Sequence, residues 1–372
     1  MAEAVVDLEA IAHNTRLLIG AAGGAELMAV VKANGFGHGA TTVARTMLSH
    51  GASWLGVTSP AEASALRADG VDAPMLLWLY PPDQAFDELL TQRVDISVAS
   101  ATALQSVADA AGRVGVVANV HLKVDTGMSR GGAGPEQWPD LLAWSRKFEA
   151  AGLVLIRGVW SHLANADTED LGDVNLAEQL RRFDVARRSA FDAGILPPFV
   201  HLANSAALLQ LPRSRFDLVR PGIALYGVEP VPGKVFGLRP AMTVTARVLL
   251  VKRVPAGTGV SYGPDHVTDR ETTLAQIPLG FADGLPRQAA GRASLLVHGV
   301  RCPIVGRITM DQVVVDVGDL PVRVGDPAVM FGPGTQGEPT AAEWAQWADT
   351  NPHDILTGIG SRLPRRYTPA AS

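Results

Sequence analysis

Short apolar runs alternate with amphipathic stretches over residues 1–238. The runs are continuous and rich in β-branched residues, which is typical of strands buried on both faces of a parallel sheet. The stretches between them repeat apolar residues at helical spacing. The pattern predicts strands at 27–32, 54–58, 75–79, 94–98, 116–124, 154–161, 199–203 and 216–220. It predicts helices at 41–48, 60–68, 83–90, 101–111, 137–150 and 176–193.

Strands and helices alternating in this number and length match a (β/α)8 TIM barrel. An open doubly wound sheet is the alternative. After residue 238 the segments 242–254, 272–278, 293–300, 302–305 and 313–317 are β-rich and separated by Gly and Pro, and a capping box at Thr340 predicts one short helix to Ala348. We therefore expect an N-terminal TIM barrel over residues 1–238 and a C-terminal mostly-β domain over 239–372, with residues 1–8 packing against the second domain.

Composition narrows the class of protein. The 372 residues are 47% hydrophobic and 19% charged, as in a globular protein of about two domains. The net charge of −5 argues against nucleic acid or an anionic membrane as a partner. The N-terminal residues do not resemble a signal peptide and no long apolar window exists, so we expect no membrane span and a cytoplasmic protein. The single cysteine, Cys302, allows no intrachain disulfide, and we expect no metal.

Polar residues follow the predicted strands at the end where barrels carry their chemistry. Lys32 ends the first strand, and a desolvated lysine becomes an amine nucleophile for a carbonyl compound, although an ion-paired or snorkelling lysine fits equally well. Asn204 and Ser205 are expected to cap a helix after strand seven. The remaining polar candidates at strand ends are Lys123, Arg130, His162 and Arg220.

The ends of strands seven and eight form the usual phosphate site of a TIM barrel. Ser205 and the Gly222-Ile223 turn are ordinary cap and turn residues when taken singly. Together with a lysine on strand one, they favour a phosphorylated aldehyde cofactor. Arg220 is interpreted either as an ion pair or as a donor to a ring nitrogen or anion, and His201 as a core residue.

Seven segments in order are similar to the bacterial alanine racemases: VVKANGFGHG, KVDTGMSR, SHLANAD, ANSAA, VRPGIALYG, VSYGP and MDQ. This resemblance runs from Val30 to Arg365. It implies an isomerase that depends on pyridoxal 5′-phosphate (PLP), interconverts L- and D-alanine by a two-base mechanism, and supplies D-alanine for peptidoglycan in cell wall biogenesis. It also implies a homodimer.

The resemblance further implies roles for individual residues. Lys32 would bind PLP covalently and act as one base, and Tyr262 would be the second base, contributed across the dimer interface. The implied cofactor-binding residues are His162, Asn204, Ser205, Arg220, Gly222 and Ile223, with His162 linking Tyr262 to Arg220. Substrate contacts are implied for Arg130 and the amide of Met310, with Lys123 carbamylated beside Arg130 or, alternatively, paired with Asp125. The implied entrance residues are Asp167, Arg287, Arg307, Asp311 and Ile359.

Three positions depart from the family pattern. Phe36, Phe281 and Ser361 stand where tyrosines are common. The missing hydroxyls at Phe36 and Ser361 predict weaker PLP binding, and the small side chain of Ser361 predicts room for substrates larger than alanine. A racemase of serine or another small amino acid is therefore a second hypothesis. A decarboxylase of the same fold fits less well, because Cys302 lies outside the motif such enzymes carry. Two further hypotheses involve no catalysis by PLP: a non-catalytic PLP-binding barrel, and a phosphate-binding barrel without PLP.

Overall fold

Eight parallel strands form a barrel in the computed structural model, which describes residues 1–168, 170 and 172–370. Their order around the barrel is β8-β7-β6-β5-β4-β3-β2-β9. Backbone hydrogen bonds from Arg220 to Ala203 (2.9 Å) and from Asp217 to Val200 (3.1 Å) bring β8 and β9 together, so the barrel is nearly closed. The strands are β2 (Glu26–Val30), β3 (Trp54–Val57), β4 (Met75–Leu77), β5 (Asp95–Val98), β6 (Ala118–Lys123), β7 (Val154–Trp160), β8 (Phe199–His201) and β9 (Leu218–Val219).

One helix precedes β2, and within the described residues a helix follows each strand from β2 to β8. Local caps explain several of their starts: Ser59 and Glu62 form a capping box with Pro60 in the first turn, and Ser100 accepts the amide of Ala103. The helices are Leu8–Ala22, Ala40–Ser49, Pro60–Ala68, Asp87–Thr91, Ala101–Val114, Trp138–Ala150, Val174–Asp192 and Ser205–Gln210.

The first helix is absent from the sequence prediction. Asp7 accepts the amides of Glu9 and Ala10 at its start, and Gly23, with φ of 66°, ends it. These are ordinary cap signals, and both are readable from the sequence.

The second domain is built on a nine-stranded sheet in the order β11-β14-β17-β16-β15-β18-β10-β1-β19. A fold of a TIM-like barrel followed by a mostly-β domain is thereby confirmed. The strands of the nine-stranded sheet are β1 (Ala2–Asp7), β10 (Met242–Arg247), β11 (Leu250–Val254), β14 (Thr272–Ile277), β15 (Ser294–Val297), β16 (Val300–Val305), β17 (Val313–Gly318), β18 (Pro327–Phe331) and β19 (Arg365–Thr368). A separate hairpin pairs β12 (Gly259–Val260) with β13 (His266–Val267).

Two predicted β segments are divided in the structure. The segment 242–254 is two strands, β10 and β11, that lie far apart in the sheet order. The segment 293–300 contains a tight turn at His298 and Gly299, whose φ angles are 49° and 76°. Thr340 and Glu343 form the expected capping box of the helix Ala341–Trp347.

A further helix, Pro352–Gly358, begins at an Asn351 cap. It packs against the barrel loop that follows β2. The second domain therefore covers one side of the barrel end where the polar residues gather.

The strand β1 lies inside the sheet of the second domain. Val6 is paired with Met242 of β10 on one side and with Tyr367 of β19 on the other. None of the helices in the described residues is long and apolar enough to cross a membrane.

Candidate active site

Lys32 lies where β2 ends, and the residues that follow it have left-handed backbone conformations, which L-residues rarely adopt. Ala33, Asn34 and Phe36 have φ of 52°, 55° and 50°, and Gly35 between them has 61°. Such left-handed geometry costs about 1–2 kcal/mol for each residue with a Cβ. A turn this strained persists only where its surroundings hold it.

Hydrogen bonds from three directions hold this turn. Glu62 accepts the amide of Ala33 at 2.7 Å, and the side chain of Asn34 accepts the amide of Ala40 at 3.0 Å. The buried ring of His38 bonds the carbonyl of Phe36 through Nδ1 at 2.9 Å. The strain is therefore concentrated at the residues that orient the Lys32 side chain.

The second domain closes over the same loop. Gly37 lies so near the helix Pro352–Gly358 that a Cβ there would stand 2.3 Å from the carbonyl oxygen of Leu356. At Gly39 a Cβ would overlap the hydroxyl of Tyr367. Glycine is required at both positions by close approach as well as by positive φ.

Lys32 and Lys123 share a strongly cationic pocket. Burial and the nearby Arg130 lower the pKa of Lys32, and Glu62 opposes the change. Burial, Arg220 and Arg130 lower the pKa of Lys123 to about 8. A lowered pKa increases the neutral fraction of an amine at a given pH, and the neutral amine is the form that acts as a nucleophile or base.

Lys123 forms no ion pair within the part of the chain that the structure describes. Its ammonium lies 4.6 Å from the centre of the Trp160 ring. The expected alternative partner, Asp125, instead accepts the amides of Gly127 and Met128. Among the described residues, the lysine therefore lies in a cationic setting with no carboxylate paired to it, which favours an added negative group.

Arg220 is buried directly after β9, with 5% of its surface exposed. It donates to the carbonyl of Ser161 at 2.7 Å and to Nδ1 of His201 at 3.1 Å. Its guanidinium stacks 4.7 Å from the centre of the Trp160 ring. Burial lowers its pKa to about 9, so at neutral pH it remains a charged donor.

The two histidines near Arg220 differ from the expected arrangement. His162 lies close to Arg220 and to the other cations, and burial followed by those charges lowers its pKa to about 3. The hydrogen bonds of the described residues do not join His162 to Arg220; His201 makes that contact. His201 is buried as predicted for a core residue, yet it also takes part in the site.

A small polar cradle forms between the ends of β8 and β9. The hydroxyl oxygen of Ser205 accepts the amides of Gly222 (2.9 Å) and Ala224 (3.3 Å), which leaves its own hydrogen available to donate. Asn204 caps the helix Ser205–Gln210 by accepting the amide of Ala207. Ile223 opens a 3₁₀ turn, and the first amides of such a turn have no partner within it.

Phe36 borders this cradle. A Cβ at Gly222 would lie 3.0 Å from Cζ of Phe36, so the para carbon of the ring points at the Gly222 backbone. The ring also packs 4.7 Å from that of Tyr226, whose hydroxyl donates to the carbonyl of Val30. A tyrosine at 36 would direct its hydroxyl towards the cradle.

Tyr262 is on the hairpin of β12 and β13 in the second domain. Its side chain is 74% exposed and borders a cavity whose lining comes entirely from residues 250–314. Arg307 holds the hairpin through Asp265, at 2.5 and 3.1 Å, and its carbonyl accepts the hydroxyl of Ser261. Arg307 thus braces the segment that carries Tyr262.

The remaining predicted residues occupy the outer part of the site. Met310 and Arg130 are exposed, and the carbonyl of Met310 accepts the amide of Ala282. Asp311 pairs with Arg362 at 2.8 Å, whereas Ile359 is buried in the core. Asp167, Arg287, Phe281 and Ser361 are exposed.

Comparisons with known proteins identify the family. Residues 6–230 match the model of the alanine racemase N-terminal domain, and residues 241–367 match that of the C-terminal domain. The chain belongs to the alanine racemase family. An alanine racemase of Thermobifida fusca is 51% identical over 370 residues, covering 99% of this chain and 98% of that protein. One of Mycobacterium tuberculosis is 48% identical, covering 100% and 97%.

Solved structures give the same result. The alanine racemase from Streptomyces coelicolor A3(2) superposes with a TM-score of 0.96 and 47% identity, covering 98% of this chain and 97% of that one. The alanine racemase from D-cycloserine producing Streptomyces lavendulae has a TM-score of 0.96 and 44% identity, covering 100% and 97%.

Alanine racemases depend on PLP, and the residues present fit that group. A phosphate requires hydrogen-bond donors, which the free hydrogen of the Ser205 hydroxyl and the amide of Ile223 at the start of the 3₁₀ turn offer. An aldehyde requires an unprotonated amine, which the lowered pKa of Lys32 favours. The buried guanidinium of Arg220 is a donor of the kind that a heteroaromatic ring nitrogen accepts.

Sequence reasoning assigned no supporting role to Glu62, whose carboxylate holds Ala33, Thr58 and Ser59 through their amides. Its capping-box signal with Ser59 is readable from the spacing. Its second contact, to the residue after Lys32, depends on the barrel bringing β2 and β3 together.

Proposed function

We propose that this chain is a PLP-dependent amino-acid racemase that interconverts L- and D-alanine. The observation that carries the proposal is the position of Lys32: a partly buried amine of lowered pKa, next to a cationic pocket and a phosphate cradle. Membership of the alanine racemase family supports it.

The cofactor would be held at three points. Lys32 would bind its aldehyde carbon, Ser205 with the amide of Ile223 would hold the phosphate, and Arg220 would donate to the ring nitrogen. The amide of Gly222, which donates to the Ser205 oxygen at 2.9 Å, would orient that hydroxyl towards the phosphate. Asn204 supports Ser205 by capping its helix. Bound PLP withdraws electrons from the substrate and acidifies the proton on Cα.

Racemisation then needs one base on each face of the substrate. Nζ of Lys32 would hold or release the proton on one face, which its lowered pKa favours. Oη of Tyr262 would serve the other face. Arg130 and the amide of Met310 would bind the substrate carboxylate, and His162, kept neutral by burial and its cationic neighbours, would lie between Tyr262 and Arg220.

The exposure of Tyr262 supports a homodimer. A base that works beside a buried lysine must itself be shielded from water in the working enzyme. Tyr262 is 74% exposed and Met310 55% exposed, and both belong to the second domain. In the proposed dimer, each second domain would bring these residues, with Asp311, Arg287 and Arg307, to the partner's barrel.

Lys123 is proposed to carry a carbamate. Its neutral amine would attack carbon dioxide, forming an N–C bond and releasing one proton, and the product would be an anion beside Arg130. The pocket supports this because it places cations, and no carboxylate within ion-pair distance among the described residues, next to Lys123.

The division at residue 238 is proposed to separate the PLP-binding barrel from the second domain. We propose a cytoplasmic protein whose D-alanine is used for peptidoglycan. A racemase of serine or a similar small amino acid is the second candidate, because Ser361 and Phe281 are exposed where bulkier or hydroxylated side chains are common in the family.

Two measurements test the proposal. The purified protein should show a visible absorbance band that borohydride abolishes and that Lys32→Ala lacks. It should racemise a panel of small L-amino acids, with L-alanine turned over fastest, and Tyr262→Phe should remove the activity while the absorbance remains. An absence of the band in protein with Lys32 intact contradicts the PLP assignment, and faster turnover of serine contradicts alanine as substrate.

A further inference from the structure

A continuous line of hydrogen bonds crosses the interior of the barrel from Arg220 to Asp95. Arg220 donates to Nδ1 of His201 at 3.1 Å. Nε2 of His201 lies 2.8 Å from Nδ1 of His121, and Nε2 of His121 lies 3.2 Å from a carboxylate oxygen of Asp95. We call these four residues the interior chain.

Only one arrangement of protons satisfies the interior chain. A guanidinium can only donate, so Nδ1 of His201 accepts and its proton is on Nε2. That proton is donated to Nδ1 of His121, which places the second imidazole proton on Nε2 as well. Nε2 of His121 then donates to Asp95. Both imidazoles are neutral and every hydrogen bond has the same direction, from the cation to the carboxylate.

Burial favours this neutral arrangement. His121, His201 and Asp95 are at most 1% exposed. Burial lowers the pKa of both histidines, that of His201 further because Arg220 and His121 face it. Hydrogen bonds that run in one direction at low dielectric polarise one another and strengthen the set.

The barrel makes room for this arrangement at Gly158 of β7. A Cβ there would stand 2.1 Å from Nδ1 of His121, although the φ of Gly158 is not in the left-handed region. Trp160 supports the other imidazole: its ring is stacked on that of His201 at an interplanar angle of 6°. The extended conformation of β7 does not by itself require a glycine at position 158 or a tryptophan at position 160.

Asp95 is anchored where β5 begins, at the end of the barrel opposite to the site. Asn119 donates to one of its oxygens at 3.1 Å and Arg157 to the other at 3.0 Å. Among the described residues, Arg220 has no direct carboxylate partner. We propose that Asp95 is a positioning residue for Arg220, acting through His121 and His201 to fix the direction of the guanidinium's hydrogen bonds and to polarise them, while the direct ion pair of Asp95 is with Arg157.

The proton arrangement can be tested without cofactor or substrate. In cofactor-free protein with ¹⁵N-labelled histidine rings, NMR at neutral pH should show both His121 and His201 neutral and protonated on Nε2. Either ring protonated on Nδ1, or doubly protonated, overturns the proposal. This result does not depend on the proposed function.

The positioning role is tested by Asp95→Asn, which keeps the size of the side chain and removes its charge. The ring signals of His201, which does not touch Asp95, should shift, and the dissociation constant of PLP should rise about tenfold. The control is Asp87→Asn, because Asp87 pairs with Arg113 on the outside of the barrel; it should change neither. An altered thermal midpoint with unchanged His201 signals and PLP affinity would mean a structural role only, and would overturn the proposal.

Gly158→Ala provides an independent variant if Asp95→Asn fails to fold. It leaves the four side chains intact and displaces only His121, so it should change the His201 signals and weaken PLP binding in the same direction. Unchanged His201 signals in this variant also overturn the proposal. The second experiment rests on the proposed function: if the unaltered protein binds no PLP, that function is wrong, whereas the ring protonation states still decide the interior chain.

Discussion

The side chain of Arg365 donates from Nε to the carbonyl oxygen of Gly37 over 2.9 Å, joining the last strand of the second domain to the strained turn after Lys32. The same guanidinium donates to the carbonyls of Leu363 (2.8 Å) and Ile359 (2.5 Å). One planar group therefore connects the loop that orients the lysine with the segment that carries Ser361. A lysine could not bond in all these directions at once.

Arg365→Lys should lower the free energy of unfolding by about 1–3 kcal/mol, because it leaves part-buried carbonyls without donors. It should also weaken PLP binding, since the turn after Lys32 loses a support. Chemical denaturation and PLP titration measure the two effects. The neighbouring Arg366→Lys is the control: its pair with Glu3 is on the surface and should contribute less than about 1 kcal/mol. Equal effects from the two variants contradict the prediction.

Phe36→Tyr should tighten PLP binding about tenfold or more. The new hydroxyl would extend from Cζ towards Gly222 and the phosphate cradle, and a hydrogen bond to a charged group is worth roughly 1.5–3 kcal/mol. The dissociation constant of PLP is the measurement. Phe281→Tyr, at an exposed position, is the control and should leave the constant unchanged. An unchanged affinity in Phe36→Tyr shows that water or another group already supplies the bond.

Carbamylation of Lys123 should depend on pH in a defined direction. Burial and the neighbouring arginines lower the pKa of this lysine in the folded protein to about 8, from an ordinary value of 10.5, so the neutral amine is populated at a lower pH than in the unfolded chain. Formation of the carbamate should therefore increase as pH rises through about 8 at fixed carbon dioxide. ¹³C NMR of PLP-loaded protein in labelled bicarbonate should show one signal that Lys123→Ala removes. A signal that survives this substitution would place the modification elsewhere.

Mixing two inactive variants tests whether Tyr262 acts across a dimer. Lys32→Ala and Tyr262→Phe should each be inactive alone. After mixing and subunit exchange, a heterodimer contains one site with both native residues if Tyr262 serves the partner. Activity should then recover to about a quarter of that of the native protein, since half of the dimers are mixed and one of their two sites is intact. No recovery despite proven exchange indicates that Tyr262 serves its own subunit.

Asp265→Asn should lower kcat with little change in KM. The substitution removes the charge that holds Arg307 and so loosens the hairpin of Tyr262, whose hydroxyl matters in the proton-transfer step. Asp349→Asn is a matched control, because the Arg292–Asp349 pair is similarly exposed and lies away from Tyr262. A rise in KM alone would indicate that the hairpin binds substrate and does not position the base.

Much of the barrel can be predicted from local pattern. Continuous apolar runs mark all eight of its strands, because a strand covered on both faces leaves no polar alternation. The clustering of polar residues at their ends follows from parallel strand direction. Strand direction alone therefore places Lys32 and Ser205 at the same end of the barrel.

The contacts that tune the site are not predictable in this way. The sequence favours a core role for His201, because a single buried histidine gives no sign of a partner 19 residues away at Arg220. The left-handed conformations of Ala33 and Phe36 contradict the preferences of these residues, and Glu62 and the second domain hold the turn in place. Such features depend on which strands become neighbours, which spacing alone does not give.

Because β1 lies inside the sheet of the second domain, the order of synthesis affects when this strand can be paired. Its two neighbours, β10 and β19, are synthesised only after all eight barrel strands. Until then the first strand is an unpaired edge that can join another chain. The strand β19, more than 350 residues after β1, thus covers its second edge, and truncation before Arg365 would leave β1 open on one side.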